Sequence, residues 1–150
     1  MLETGMNAPD FSLESDTAGR VSLSGLAGKT VILYFYPKDD TPGCTTEACG
    51  FRDAFDLFLE KGAVVIGVSP DNPVSHGKFR AKFGLNFLLL ADPDHSVLSA
   101  YGAWGEKSMY GKTYEGVLRS TVVIGPDGRI VKIFPKVKPE GHAQEILALL

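Results

Sequence analysis

Cysteine is scarce in this chain, and so are most features that would assign it at a glance. There are 2 cysteines in 150 residues, which excludes a small scaffold stapled by disulfides. No apolar run approaches the roughly 18 residues a membrane span needs. The longest, residues 31–36, is only strand length. Neither sign of charge dominates: 15 Lys and Arg stand against 18 Asp and Glu, for a net charge of −3. A broad basic footprint for nucleic acid is therefore missing. Glycine-rich nucleotide loops, internal repeats, linkers and low-complexity stretches are also absent. The start, MetLeuGluThrGlyMet, is acidic and short rather than basic and then apolar, so a secretory signal is not expected and a cytoplasmic location is.

What is present is ordinary globular usage, 44% hydrophobic and 22% charged. A chain of this size buries roughly 68–70% of its unfolded surface, so one self-sufficient domain over residues 1–150 is expected. PheSerLeu at 11–13 and ValSerLeu at 21–23 flank AspThrAlaGlyArg and predict an N-terminal hairpin. Residues 29–37, 63–69 and 87–91 read as strands buried on both faces. Between the first two, Ala48, Phe51, Phe55, Phe58 and Leu59 recur at helical steps, with Gly62 placed to cap the end. Asn72 and Pro73 start a second helix that Gly84 stops. A short helix follows at 97–101. Residues 102–116 read as an ordered loop. Residues 119–134, folded about GlyProAspGly, give a clear hairpin, and 141–150 a last helix. The order predicts an α/β, three-layer arrangement: a mixed central sheet with helices on both faces.

Cys44 carries the chemical interest. Thr41 is a permitted N-cap and Pro42 a favoured first helical residue, so Cys44 falls in the first turn of the first helix. There the helix dipole favours an anion, and a thiolate is the reactive form of cysteine. Asp39, Asp40 and Glu47 oppose this, so a cation is needed that spacing alone does not locate. Cys49 lies five residues on. In an intact helix the two Cα atoms would be roughly 8.6 Å apart, beyond the limit of about 7 Å for a disulfide. Cys44 faces the apolar stripe and Cys49 faces away. Two inert buried cysteines remain an alternative on these grounds. Zinc is a weaker one, because neither cysteine has a histidine at ligand spacing. His76, His95 and His142 fall in turns or at helix starts and read as surface histidines.

The segment ProLysAspAspThrProGlyCys at 37–44 resembles the peroxiredoxin active-site pattern. Its extension CysThrThrGluAlaCys resembles the bacterioferritin-comigratory or Q-type peroxiredoxins. AsnAlaProAspPheSerLeu at 7–13, TrpGlyGluLysSerMetTyrGlyLysThrTyrGluGly at 104–116 and ArgSerThrValValIle at 119–124 carry the likeness along the chain. The resemblance implies a thioredoxin-like fold and reduction of hydrogen peroxide and organic hydroperoxides without metal or organic cofactor. It implies Cys44 as the peroxidatic cysteine and Cys49 as the resolving one, joined in a disulfide that thioredoxin or a similar dithiol reduces. It further implies that Pro37, Thr41, Gly43 and Arg119 shape the site. Arg119 would supply the missing cation, Thr41 would hold the peroxide oxygen, the Gly43 N–H would complete a donor cradle, and Pro37 would shield the thiolate. A monomer is expected, since an internal cysteine pair needs no second chain. A thioredoxin-like disulfide reductase and a non-catalytic thiol sensor are the competing functions. The five-residue cysteine offset disfavours the first, and many turnovers per molecule would exclude the second.

Overall fold

A computed structural model describes residues 2–150. The hydrophobic runs become the middle of a seven-stranded sheet whose order across the sheet is Arg20–Ser22, Ser12–Ser15, Leu88–Ala91, Ala63–Ser69, Thr30–Phe35, Ser120–Ile124 and Ile130–Phe134. Strands β3 (Thr30–Phe35), β4 (Ala63–Ser69) and β5 (Leu88–Ala91) are parallel and central. The expected N-terminal hairpin, β1 (Ser12–Ser15) and β2 (Arg20–Ser22), adds antiparallel on the β5 side. The second hairpin, β8 (Ser120–Ile124) and β9 (Ile130–Phe134), adds antiparallel on the β3 side. Strand β3 shows why its sequence is apolar throughout. Ile32, Tyr34 and Tyr36 point into one core, and Val31, Leu33 and Phe35 into the other.

Helices α1 (Pro42–Asp53), α2 (Phe55–Glu60), α3 (Pro73–Phe83) and α5 (His142–Leu147) send Phe51, Phe58, Phe79 and Ile146 into the first core. The second core is closed by α4 (Ser96–Ala100) through Leu98, with Phe11 and Leu23 from the N-terminal region. Helices thus cover both faces, unequally. Helix α3 has the expected ends: Asn72 Oδ1 accepts from the Ser75 N–H at 2.8 Å, and Gly84 is left-handed.

Three expectations need correction. Residues 102–116 are not a loop but hold a separate hairpin, β6 (Trp104–Met109) and β7 (Lys112–Val117). Most of its side chains are exposed, so no alternation of polar and apolar residues announces it. Its two-residue turn, Tyr110 and Gly111, has φ of 53° and 77° at both positions, the backbone that suits a tight hairpin. The long helical stripe is broken at Ala54 (φ −95°, ψ 6°). The break shifts the phase of α2, so Phe58 is buried while Leu59 is 61% exposed. Finally, His76 and His142 are not surface residues but buried ones. His95 is half-buried, its ring stacked 3.7 Å from Trp104.

Candidate active site

Strand β3 delivers the chain at Tyr36 to a short loop, and the loop delivers it to α1. Cys44 is the third residue of α1 and is 1% exposed. Thr41 occupies the N-cap in extended conformation, as expected, but its side chain does not cap. The hydroxyl instead donates to the Lys38 carbonyl at 2.8 Å. The Gly43 and Cys44 N–H groups, which have no helical acceptors, are therefore left uncapped by Thr41.

The missing cation is Arg119, which arrives from the short link between β7 and β8. Its Nη2 donates to Cys44 Sγ at 3.3 Å and its Nη1 to Glu47 Oε1 at 2.7 Å. One planar fork thus spans two residues that lie three apart on the same helix. Gly43 makes room for it: a Cβ there would stand 3.2 Å from Arg119 Nη2 and 3.4 Å from Pro139 Cγ. Burial works against the Arg119 charge, but Cys44 and Glu47 outweigh it and hold the guanidinium more firmly protonated than usual.

Glu47, a carboxylate expected to oppose a thiolate at Cys44, is 1% exposed and bound to Arg119. Burial raises its carboxyl from 4.5 to about 7, and Arg119 pulls it back only in part. Its Oε2 has no hydrogen-bond partner among the described residues, and neither has the buried Tyr34 hydroxyl. Burial, then Glu47 and Cys44, push the Tyr34 phenol well above its ordinary value. The signal was available: Glu47 lies four residues before Phe51 on the buried stripe, and a carboxylate at a core position calls for a paired cation.

Cys44, Gly43 and Arg119 are therefore brought together. Thr41 heads the same helix with its hydroxyl turned back to the loop. Pro37 is half-buried just after β3, and Cys49 is half-buried further along α1. Both cysteines are free thiols.

A family model described as the AhpC/TSA family matches residues 4–133. Over 149 residues the chain is 50% identical to peroxiredoxin Bcp of Bacillus subtilis, covering 99% of this chain and 95% of that one. It is 44% identical over 146 residues to peroxiredoxin Bcp of Escherichia coli, covering 97% and 94%. Among solved structures, the bacterioferritin comigratory protein of Xanthomonas campestris, studied for alkyl peroxide reduction, superposes with a TM-score of 0.91 at 38% identity, covering 98% and 96%. A cysteine-to-serine mutant of Xylella fastidiosa PrxQ superposes with a TM-score of 0.93 at 37% identity, covering 99% and 95%. With the thioredoxin-like architecture and a buried cysteine–arginine pair already in place, these matches show that the chain belongs to the AhpC/TSA family, among the Bcp or Q-type peroxiredoxins.

Proposed function

We propose that this protein is a thiol peroxidase that reduces hydrogen peroxide and organic hydroperoxides at Cys44. The observation that carries the reading is the Arg119 guanidinium donating at 3.3 Å to a buried sulfur in the first turn of a helix. The Cys44 thiolate attacks the terminal peroxide oxygen. An S–O bond forms and the O–O bond breaks, leaving a sulfenic acid and an alkoxide or hydroxide that takes a proton to become alcohol or water. Arg119 and the first-turn N–H groups face the oxygen that gains charge, where preorganised donors count most. Thr41 orients the peroxide and Pro37 limits water at the site.

Cys49 thiolate then attacks the sulfenic sulfur, forming the Cys44–Cys49 disulfide and releasing hydroxide, which is protonated to water. An external dithiol such as thioredoxin returns both thiols by two exchanges and leaves as its own disulfide. The internal pair suits a monomer in a reducing, cytoplasmic setting. Among the described residues, no helix is long and apolar enough to cross a membrane.

The test is peroxide consumption with thioredoxin as reductant. Wild type should turn over many times and Cys44→Ser not at all. Cys49→Ser should react once and stop at the sulfenic acid, seen as one added oxygen by mass spectrometry. A fast first reaction in Cys44→Ser would refute the assignment.

A further inference from the structure

The loop between β3 and α1 is gripped by a buried charge pair that the peroxide chemistry itself does not use. Asp39 lies between Pro37 and Thr41, yet it is only 7% exposed. Its carboxylate accepts from the Tyr36 hydroxyl at 2.6 Å, the Ser75 hydroxyl at 2.7 Å and His76 Nδ1 at 2.7 Å. His76 is fully buried. Its Nε2 lies 3.0 Å from the Leu90 carbonyl, which can only accept, so Nε2 carries a hydrogen. Its Nδ1 faces a carboxylate oxygen, which also accepts. A ring that donates from both nitrogens is an imidazolium.

The grip reaches the catalytic helix through one peptide plane. The Asp39 N–H donates to Asp71 Oδ2 at 2.8 Å, and Asp71 is itself held by the Ser69 hydroxyl at 2.7 Å. The other end of that rigid plane is the Lys38 carbonyl, which accepts from the Thr41 hydroxyl. Fixing Asp39 therefore fixes the acceptor that orients Thr41, the N-cap of α1. The next residue, Asp40, sits at a φ of 57°, a backbone region that non-glycine residues seldom adopt and that needs surrounding support. Its pair with Lys82 at 2.8 Å is largely exposed and worth little. The buried hydrogen bonds of Asp39, the one to His76 among them, are the support next to it.

We propose that His76 is a positioning residue for peroxide reduction: as an imidazolium it clamps Asp39, and through Asp39 it holds the 37–41 loop in the conformation that sets Thr41 and the first turn of α1 around the peroxide. The inference rests on the assignment of Cys44 above. The titratable groups facing His76 among the described residues are Asp39 from the loop, Tyr36 from the end of β3 and Asp71 from the turn after β4; β5 offers the Leu90 carbonyl. Burial alone would lower the His76 pKa. The Asp39 pair, the Leu90 carbonyl and Asp71 together outweigh it, and the imidazolium persists above the ordinary histidine range. As the ring finally deprotonates, the clamp loosens and the first step slows.

The test compares wild type with His76→Gln, Asp39→Asn, Ser75→Ala and Tyr36→Phe, each shown to be folded by circular dichroism. Stopped-flow reaction with peroxide isolates the first step, and disulfide formation reports the second. His76→Gln and Asp39→Asn should slow the first step about tenfold or more, as small misplacements of reacting groups do. Ser75→Ala and Tyr36→Phe should slow it by a smaller factor, and disulfide formation should keep its rate or gain. The wild-type first step should fall off at alkaline pH, and His76→Gln should lack that limb. The imidazole nitrogen resonances of His76 should show both nitrogens protonated at pH 7 in wild type, with a lower titration in Asp39→Asn. A neutral His76 at pH 7, a wild-type first step in folded His76→Gln or Asp39→Asn, or both steps falling in the same proportion would each overturn the proposal. If His76→Gln does not fold, unchanged rates in both Ser75→Ala and Tyr36→Phe do the same. Failure of the Cys44 assignment is read separately, from activity retained in Cys44→Ser.

Discussion

Arg119 is asked to do two things at once, and its two substitutions separate them. Arg119→Met keeps the bulk but removes both donors. The oxygen that gains charge loses a preorganised partner, which for comparable donors costs about 10²–10³ in rate. The first step, followed by stopped-flow, should slow by that order. Arg119→Lys keeps a charge but cannot span Cys44 and Glu47 with one planar fork, so it should recover only part of the rate. A wild-type rate in Arg119→Met would return Arg119 to a purely structural role. Glu47 gives a pH prediction whose sign follows from the direction of its shift. Its carboxyl titrates at about 7 in the folded protein against 4.5 as the ordinary value. A raised carboxyl favours the protonated folded state. That contribution is fully present below pH 4.5 and is lost as pH rises through 7, by about 3 kcal/mol in all. Glu47→Gln carries no such titration. Urea denaturation at pH 5 and pH 8 should therefore show the variant gaining on wild type as pH rises. A gap that stays constant between the two would mean that Glu47 does not titrate there.

Helix α1 had to be built around Gly43, and the reason lies outside the helix. Alanine would be the better helix former by about 1 kcal/mol. Here its Cβ would stand 3.2 Å from Arg119 Nη2, so the fork must give by about a few tenths of an ångström. Gly43→Ala should thus hold or raise the melting temperature while slowing the reaction with peroxide. A variant that lost both stability and rate would point to damage in the helix rather than displacement of Arg119. The same scale shows what sequence patterns could and could not convey. Helix α3 was legible to its caps, because Asn72, Pro73 and Gly84 act locally. The β6–β7 hairpin was not, because its faces are both largely exposed and Tyr110 takes a turn position where asparagine or aspartate is the usual signal. The break at Ala54 was hidden because Phe55 and Phe58 continue the period, and only packing decides that Leu59 turns outward. His76 stands at a helix start, where an exposed ring is the ordinary expectation, yet it is buried. Its spacing to Phe79 and Phe83 places it on the buried stripe, and its partner Asp39 is distant in sequence.

Across the whole molecule, the central strands and the two cores follow from apolar runs that need burial on both faces of the sheet, so most of the fold was legible. The candidate site was legible where it is a segment, residues 37–44, and through Arg119, which the family pattern suggests and which lies against Cys44. The burial of Glu47 was legible too, from its place four residues before Phe51 on the apolar stripe, but its pairing with Arg119 was not, because the two are 72 residues apart in sequence. The same burial constrains the catalytic cycle. An intact α1 keeps the Cys44 and Cys49 Cα atoms roughly 8.6 Å apart, and a disulfide requires about 7 Å or less. The proposed Cys44–Cys49 disulfide therefore requires part of α1 to unwind and Cys44 to leave the core. The anchors of α1 are unevenly spread. Phe51 stacks on Tyr34 at 4.6 Å and meets Phe87 at 6.1 Å. Arg52 Nη1 donates to the Phe83 carbonyl at 2.7 Å, and Asn86 Nδ2 to the Arg52 carbonyl at 3.3 Å. Before Phe51 stand Gly50 and Gly43, each costing about 1 kcal/mol of helix propensity. Unwinding should then run from residue 41 and stop at Phe51. Hydrogen exchange on reduced and disulfide forms should show protection lost over residues 41–50 and kept from Phe51 onward, with a matching drop in far-ultraviolet helicity. Removing the stop with Phe51→Ala should let the loss spread into α2. Because opening competes with a second peroxide attack on the sulfenic acid, the same variant should also resist conversion to sulfinic acid at high peroxide. A disulfide form with full protection over 41–50 would show that the bond is made without unwinding, and that the helix geometry used here does not govern the step.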